Sequence, residues 1–429
     1  MNSKENKKQL WFPENAAEAR IVITGMLLLF CVLFGYFSVR PVRETIGTIL
    51  GRGATQNLWA FTALFAILIV PTYGWLVARV RRTVLLPAIY AFMAAAFIVS
   101  GVVFGNDPTN AMLARVFYVG ISVMNLLLVS VFWSFMLEIL TSDQTKRLFG
   151  LIAAGGTAGA FLGPLITGRI VVFVGNSGIL YMGAAMFLIA VVLQWLLLVQ
   201  WHKMAPGAAG TVGQTQRSER DRALGGNPFA GFGLVMRSPY LIGIMLFIIG
   251  VSAINTFLYF EQLKLVEDQF AEIAKRTQVF ANLDTIVQGL VIVTQLLLTG
   301  FIATRLGITV LLVMIPIVMI FGLGLFAISG TFIVLAVTMI IRRWGEYAFI
   351  RPGREMLFSK VDRESKYKAK NLLDVAVYRI ADASFAQLKK ALEALGMSGP
   401  VEALFTAGLA GLWAFNGWWL GRRFEKQQG

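Results

Sequence analysis

Cysteine and histidine are almost absent from this 429-residue sequence, which contains one of each, Cys31 and His202. A single cysteine cannot form an intramolecular disulfide, and the two residues cannot build a Cys/His metal cluster. We interpret Cys31, inside an apolar run, as a packing residue, and His202, just after another, as an interfacial side chain. Ser-His-Asp or Cys-His catalysis would depend on His202 alone, so the sequence argues against an enzyme and predicts no cofactor.

Charge is also scarce. Charged residues make up 14% of the sequence and hydrophobic residues 57%, whereas a soluble domain is about 25% charged. A membrane-spanning helix needs ~20 apolar residues, and about twelve such stretches follow one another, which predicts an all-α membrane protein. We place the spans at 19–45, 55–77, 83–104, 111–140, 148–174, 179–201, 239–262, 277–303, 308–328, 332–358, 371–395 and 400–421.

Acidic residues are the scarcer charged class, with 23 Asp and Glu against 38 Lys and Arg. In a soluble protein this excess would favour nucleic-acid binding, but in a membrane protein it follows the positive-inside rule, so we expect no nucleic acid. Basic residues gather in the loops at 79–82, 146–147 and 203–237. The opposite side has fewer, among them Lys389 and Lys390 near a helix end. Both termini are therefore predicted to be cytoplasmic, and no cleavable signal precedes the first span.

The apolar pattern breaks once, in a stretch rich in Gly, Ala, Ser and Arg, which we interpret as a flexible cytoplasmic linker. Its end, 227–239, is predicted to form a short interfacial helix. The predicted domains are an N-terminal segment, a six-helix bundle, the linker, a second six-helix bundle and a tail, at 1–18, 19–201, 202–238, 239–421 and 422–429.

The two predicted bundles carry similar sequence motifs at corresponding positions. Gly74–Arg79 follows the second span and Gly300–Gly307 follows the eighth, and polar, basic tags follow the fourth and tenth spans at 142–147 and 362–368. Such repeats are typical of transporters built from related halves. The glycine–arginine tags resemble the cytoplasmic loop motif of the major facilitator superfamily. That resemblance implies a substrate site midway through the membrane, between the halves, with rocking-type alternating access.

Two charged phrases lie inside apolar spans, at Arg40–Glu44 and Arg351–Glu355. Arginine in hydrocarbon costs about 2.5–3.5 kcal/mol on insertion scales, so such residues usually face a water-filled path or a charged partner. With a rise of 1.5 Å per residue, each phrase lies ~30 Å along its span, the first near the outer end and the second near the inner end. We expect i,i+4 ion pairs within each phrase. The phrases either line a path for an anion or are helix ends that snorkel to the interface.

The middle of the tenth span adds Arg342, Arg343 and Glu346, which fall ~15–20 Å from its outer end, near the membrane midplane. Because snorkelling is difficult at that depth, we favour a functional role and expect Arg343 to pair with Glu346 at i,i+3. Arg115, early in the fourth span, is shallower, and substrate contact and interface anchoring both stay open. Asp284 and Gln288 of the eighth span are interpreted as a packing pair.

The eleventh span is the most polar. Asp374, Tyr378 and Asp382 recur every four residues and form one stripe, and Arg379 can reach Asp382 at i+3. The stripe is expected to face the bundle interior and to pair with arginines of the tenth span. Its carboxylates are also the candidates for proton coupling, and structural pairing is an equal alternative.

Glycines recur in the fifth span at Gly155, Gly159 and Gly163. Small residues at this i,i+4 spacing permit close helix approach, so we predict a packing role. The alternative, a phosphate-binding loop, is disfavoured because the GxxxxGK[ST] pattern and a preceding strand are missing.

The tenth span and the residues after it resemble the nucleotide (ATP/ADP) translocase family of plastids and intracellular bacteria. The resemblance lies in Pro352-Gly353-Arg354-Glu355-Met356, the later acid Asp362 and the Lys368-Ala369-Lys370 triplet, with Arg43-Glu44 and Thr145-Lys146-Arg147 in the first half. It implies a divergent bacterial member in the inner membrane that exchanges nucleotides. By residue match it assigns substrate contact or gating to Arg43, Arg354 and Glu355.

We therefore expect a secondary transporter for an anionic, phosphorylated metabolite, with nucleotide as the first candidate and no obligate protein partner. Alternatives are a proton-coupled transporter or exporter that uses Asp374 or Asp382, and a non-transporting membrane scaffold or sensor. Arginine suits phosphate because its guanidinium makes paired hydrogen bonds. The candidate substrate-binding residues are Arg40, Arg43, Glu44, Arg115, Arg342, Arg343, Glu346, Arg351, Arg354, Glu355, Asp374, Tyr378, Arg379 and Asp382.

Overall fold

The structure, a computed structural model, describes residues 13–204, 230–297, 307–361, 369–370, 372–397 and 399–426, and these are almost entirely helical. The α-helices are α1 (Ala16–Leu50), α2 (Arg52–Arg79), α3 (Arg82–Asn106), α4 (Ala111–Ile139), α5 (Ser142–Met204), α6 (Ala230–Arg237), α7 (Pro239–Gln269), α8 (Ile273–Leu297), α9 (Gly307–Ser329), α10 (Phe332–Gly345), α11 (Arg351–Leu357), α12 (Tyr378–Ala394) and α13 (Gly399–Lys426).

Two π-helices and one 3-10 turn complete the helical elements in the described part of the chain: Glu346–Ile350 joins α10 to α11, Leu372–Val377 precedes α12, and Phe358–Lys360 follows α11. The predicted short helix before the seventh span is present as α6. Most of the predicted linker (205–229), residues 300–306 of the second glycine–arginine tag and the tag at 362–368 lie outside the described residues.

Within the described residues, eight helices are long and apolar enough to cross a membrane, by length and composition. One of them, α5, has 63 residues and breaks at Gly175, whose φ of 67° favours glycine. Gly163 and Gly183, on opposite sides of this break, both lie against residues 34–39 of α1, so the chain reverses direction at Gly175. Counting α5 twice and adding α10–α11, the α12 segment and α13 gives twelve crossings among the described residues.

Close helix packing explains the glycines of the fifth predicted span. A Cβ atom would lie 2.2 Å from the Met26 carbonyl oxygen if placed on Gly155, and 2.4 Å from the Phe30 carbonyl oxygen if placed on Gly159. Both distances are shorter than any tolerable contact, so α1 and the first part of α5 approach each other through backbone. The predicted packing role is confirmed.

The helices form two compact units. The first comprises the described residues of Met1–Arg43, Val70–Ala223 and Phe280–Asn282, and the second those of Glu44–Ile69, Leu224–Val279 and Leu283–Gly429. In the first, α3 packs along α5; in the second, α13 packs between α9 and α7, and α12 packs on α7. The second unit thus includes the end of α1 and most of α2, and the division into bundles at 19–201 and 239–421 stays a prediction.

Candidate substrate site

Two buried arginines lie in the last turn of α10. Arg342 and Arg343 are 5% and 6% exposed, and each has a carboxylate partner. Arg342 Nη1 is 2.9 Å from Glu346 Oε2, and Arg343 Nη1 is 2.5 Å from Asp284 Oδ1 on α8. The predicted Arg343–Glu346 pair is therefore wrong. Residues i and i+4 share a helix face, which brings Arg342 to Glu346, while Arg343 points about 100° away, towards α8.

The π-helix Glu346–Ile350 determines the partner of Arg351. Glu346 Oε1 accepts from Arg351 Nη2 at 3.1 Å, five residues along the chain, and the Arg351 guanidinium lies 4.3 Å above the Tyr347 ring. In a π-turn the backbone hydrogen bond joins residue i to residue i+5, so Glu346 and Arg351 lie on the same face of the helix. In an α-helix the two side chains would point in different directions. Glu346 thereby holds two arginines. The predicted Arg351–Glu355 pair is wrong, since Glu355 pairs with Lys370 at 2.5 Å.

The second π-helix, Leu372–Val377, contributes the carboxylate that pairs with Arg354. Arg354 Nη2 on α11 is 3.2 Å from Asp374 Oδ1, so the predicted pairing between the tenth and eleventh spans is confirmed. Asp374 lies in the π-helix, which ends at Val377, whereas Tyr378 begins α12. The prediction that Asp374, Tyr378 and Asp382 form one stripe assumed a regular α-helix, and this assumption does not hold between Asp374 and Tyr378. π-helical turns are frequent at functional sites.

Asp382 lies deeper in α12 and is 6% exposed. Its Oδ1 accepts a hydrogen bond of 2.6 Å from the Ser252 hydroxyl, and its Oδ2 lies 3.8 Å from Arg379 Nη1. The predicted i,i+3 pair is present at a longer distance than the arginine pairs of α10. Arg379 also lies 5.8 Å from the centre of the Tyr378 ring.

The phrase on α1 is divided between the two compact units at Arg43 and Glu44. In the first unit, Arg43 Nη1 donates to the Ser122 hydroxyl at 3.1 Å, and its guanidinium lies 5.5 Å from the Tyr118 ring centre. Arg40 lies 5.9 Å from the Phe37 ring centre.

In the second unit, Glu44 is buried and accepts a hydrogen bond of 2.7 Å from the Tyr259 hydroxyl. Arg115, near the start of α4, is exposed, and the described residues show no ion pair that joins it to the other candidates.

Several buried nitrogen atoms of this group have no hydrogen-bond partner among the described residues. They are Arg342 Nε, Arg343 Nη2 and Arg354 Nε. The second unit gathers five arginines against four carboxylates here: Arg342, Arg343, Arg351, Arg354 and Arg379, with Asp284, Glu346, Asp374 and Asp382. The arrangement can accept an anion, because donors are available and the positive charge exceeds the negative.

Sequence reasoning missed two features. Asp284, interpreted as a packing residue, binds a site arginine, and only the burial of Arg343 on a facing helix reveals this. Glu261, Glu393 and Glu402 also converge, with carboxylate oxygens within 4.8 Å of one another. Such a triad could hold a metal ion, but the ammonium of Lys389 lies among the three groups and takes that position.

The sequence matches the profile of the Major Facilitator Superfamily over residues 25–350. A search of curated proteins finds no match. Solved structures with a similar fold include the nucleoside transporter NupG, with a TM-score of 0.62 and 15% identity, covering 95% of this chain and 99% of NupG. The POT family transporter PepTSo gives 0.64 and 12%, covering 95% and 99%. The E. coli xylose transporter XylE, in a partially occluded inward open conformation, gives 0.58 and 17%, covering 94% and 97%.

Proposed function

The chain belongs to the Major Facilitator Superfamily and is a multi-pass secondary transporter, not an enzyme, and from this premise we propose that its substrate is an anionic, phosphorylated metabolite. Exchange of nucleotides of the ATP/ADP type is the specific reaction that we propose. The fold does not select the substrate, because transporters of this fold carry nucleosides in one case and xylose in another.

The observation that carries the proposal is the buried pair Arg342 and Arg343, which lies in the middle of a membrane-spanning segment. Each keeps an N–H group without a partner, Nε of Arg342 and Nη2 of Arg343. A buried donor without a partner costs about 1–3 kcal/mol, and more when it is charged. Anionic ligand oxygens are suitable partners for such donors, and the planar guanidinium fork fits phosphate well.

Internal carboxylates give this site a means of release. Glu346, Asp284 and Asp374 each form an ion pair with an arginine. A phosphate group would compete with these carboxylates, which lowers its net affinity to a level compatible with turnover. The same carboxylates compensate the buried positive charge, because an unpaired buried ion would be costly.

Aromatic rings beside the arginines are suited to contact the base of a nucleotide. Tyr347 lies against Arg351, and Trp344 donates from Nε1 to the Thr294 hydroxyl at 2.8 Å, within one helical turn of Arg343. Aromatic faces stack on bases without sequence preference. These contacts support the nucleotide among phosphorylated metabolites.

A proton-coupled carrier that uses Asp382 is the second candidate. Asp382 is buried, and its bond to the Ser252 hydroxyl is shorter than its 3.8 Å contact with Arg379, so its charge is weakly compensated. A pH gradient would then drive uptake without internal substrate, whereas an exchanger requires internal substrate.

Binding by the purified protein tests the phosphate requirement. We expect ADP and ATP to raise the melting temperature in a thermal-shift assay, AMP to raise it less, and adenosine to have no effect, since stabilisation grows as RT ln(1 + [L]/Kd). Equal stabilisation by adenosine and ADP would contradict a phosphate site and favour a nucleoside.

A further inference from the structure

A second charged cluster, which the proposed substrate site does not use, lies where α7, α12 and α13 meet. Lys389 Nζ is 2.7 Å from Glu261 Oε1 and 3.4 Å from Glu393 Oε1, and it also donates to Glu402 Oε2. Lys389, Glu261 and Glu402 are 4%, 3% and 2% exposed. One ammonium therefore contacts three carboxylates, of which Glu261 and Glu402 are buried and Glu393 is 22% exposed.

Only one other charged side chain contacts the cluster among the described residues. Arg52, at the start of α2, places Nη1 2.9 Å from Glu393 Oε1, and the neutral Gln56 donates to Glu393 Oε2 at 3.1 Å. The helix α9, which packs along α13, contains no charged residue. Two cations thus face three carboxylates, which leaves one negative charge without compensation. A buried charge of this kind is removed in proteins by taking up a proton.

The geometry identifies the carboxylate that takes the proton. Glu402 Oε2 accepts from Lys389, whereas Glu402 Oε1 is buried and has no hydrogen-bond partner in the described part of the chain. Glu402 lines a cavity of about 20 Å³ beside Thr256, Thr406 and Phe257, which has room for one water-sized group.

Neither hydroxyl in that cavity supplies the missing donor. Thr406 donates to the Glu402 carbonyl oxygen at 2.7 Å and Thr256 to the Ser252 carbonyl oxygen at 2.8 Å. A buried carboxylate oxygen that receives no hydrogen bond from the described residues is unfavourable as an anion, and protonation of that oxygen removes the charge.

We propose that Glu402 is a proton-binding site, with one proton on Oε1 facing the cavity and Oε2 still bound to Lys389. The proton comes from bulk water, and no other bond forms or breaks. A metal ion is disfavoured here, because the Lys389 ammonium lies among the carboxylates and repels a second cation. The site is separate from the arginine group and does not depend on the identity of the substrate.

Infrared spectroscopy of the full-length protein in lipid vesicles tests the proposal without any substrate. A protonated carboxylic acid has a carbonyl stretch that carboxylates lack. We expect the wild-type protein to show this band near neutral pH, and Glu402→Gln to lose one acid group per chain. Glu18→Gln is the matched control, since Glu18 is equally buried at 2% but paired with Arg147 at 3.0 Å, and it should leave the band unchanged.

Lys389→Gln provides a second, independent test. Removal of the central cation leaves the cluster more negative, so a further carboxylate should take up a proton and the band should grow. A band that Glu402→Gln leaves undiminished, or that Lys389→Gln leaves unchanged, would overturn the proposal. Monodisperse elution of each variant from a size-exclusion column confirms that it is folded. The proposed phosphate specificity is tested separately, by the thermal-shift comparison of ADP, ATP, AMP and adenosine.

Discussion

At the residue scale, the transporter holds its buried arginines in place with carboxylates on neighbouring turns or helices. Arg343 is bound to Asp284 on a different helix, and Arg354 is bound to Asp374 across the second π-helix. These partners orient each guanidinium, so the remaining N–H groups are held in fixed positions for the proposed substrate. Preorganised donors of this kind are more effective than donors that must be ordered on binding.

Neutralising either arginine should abolish most transport while the protein still folds. Arg343→Gln and Arg354→Gln each remove charge-assisted hydrogen bonds worth about 1.5–3 kcal/mol, which corresponds to a loss of roughly 10- to 150-fold in substrate affinity. Uptake of labelled substrate into proteoliposomes measures the effect. Arg237→Gln, on the exposed end of α6, is the control and should transport normally. Normal transport by both site variants would remove the arginines from the substrate path.

At the element scale, the site depends on helices that depart from the α form. The two π-helices, Glu346–Ile350 and Leu372–Val377, decide which carboxylate meets which arginine. A regular α-helical register therefore predicted the wrong partner for Arg351, whereas the partner of Arg343, Asp284, lies on another helix and no register within one helix predicts it. The sequence carries no strong signal for a π-turn, because the choice between i+4 and i+5 bonding depends on tertiary packing.

The glycine spacing in α5 did predict close packing of this helix against a neighbour, which is α1, and this packing can be tested. Gly159→Ala should destabilise the protein by about 1–3 kcal/mol, the usual cost of overpacking, because its Cβ would lie 2.4 Å from the Phe30 carbonyl oxygen. Gly150→Ala, on the same helix with nothing within 4 Å, should be neutral or slightly stabilising. Thermal unfolding in detergent compares the two variants. Equal melting temperatures would show that α1 and α5 are farther apart.

At the scale of the whole molecule, hydropathy and repeats were sufficient to predict an all-α transporter of twelve crossings, and family membership confirms the fold. Hydrophobic runs are long-range properties of composition, so they survive divergence that leaves 12–17% identity to solved transporters. The cluster around Lys389 could not be predicted, because its members come from distant segments and each resembles an ordinary helix-end charge. Burial alone distinguishes them.

The central claim is that the transporter exchanges phosphorylated metabolites, and counter-exchange in proteoliposomes tests it most directly. Vesicles loaded with ADP and empty vesicles are both presented with labelled ATP. We predict uptake that requires internal nucleotide and that Arg343→Gln abolishes. Equal uptake into empty and loaded vesicles would contradict exchange, and no uptake by protein shown to be folded would contradict nucleotide as the substrate.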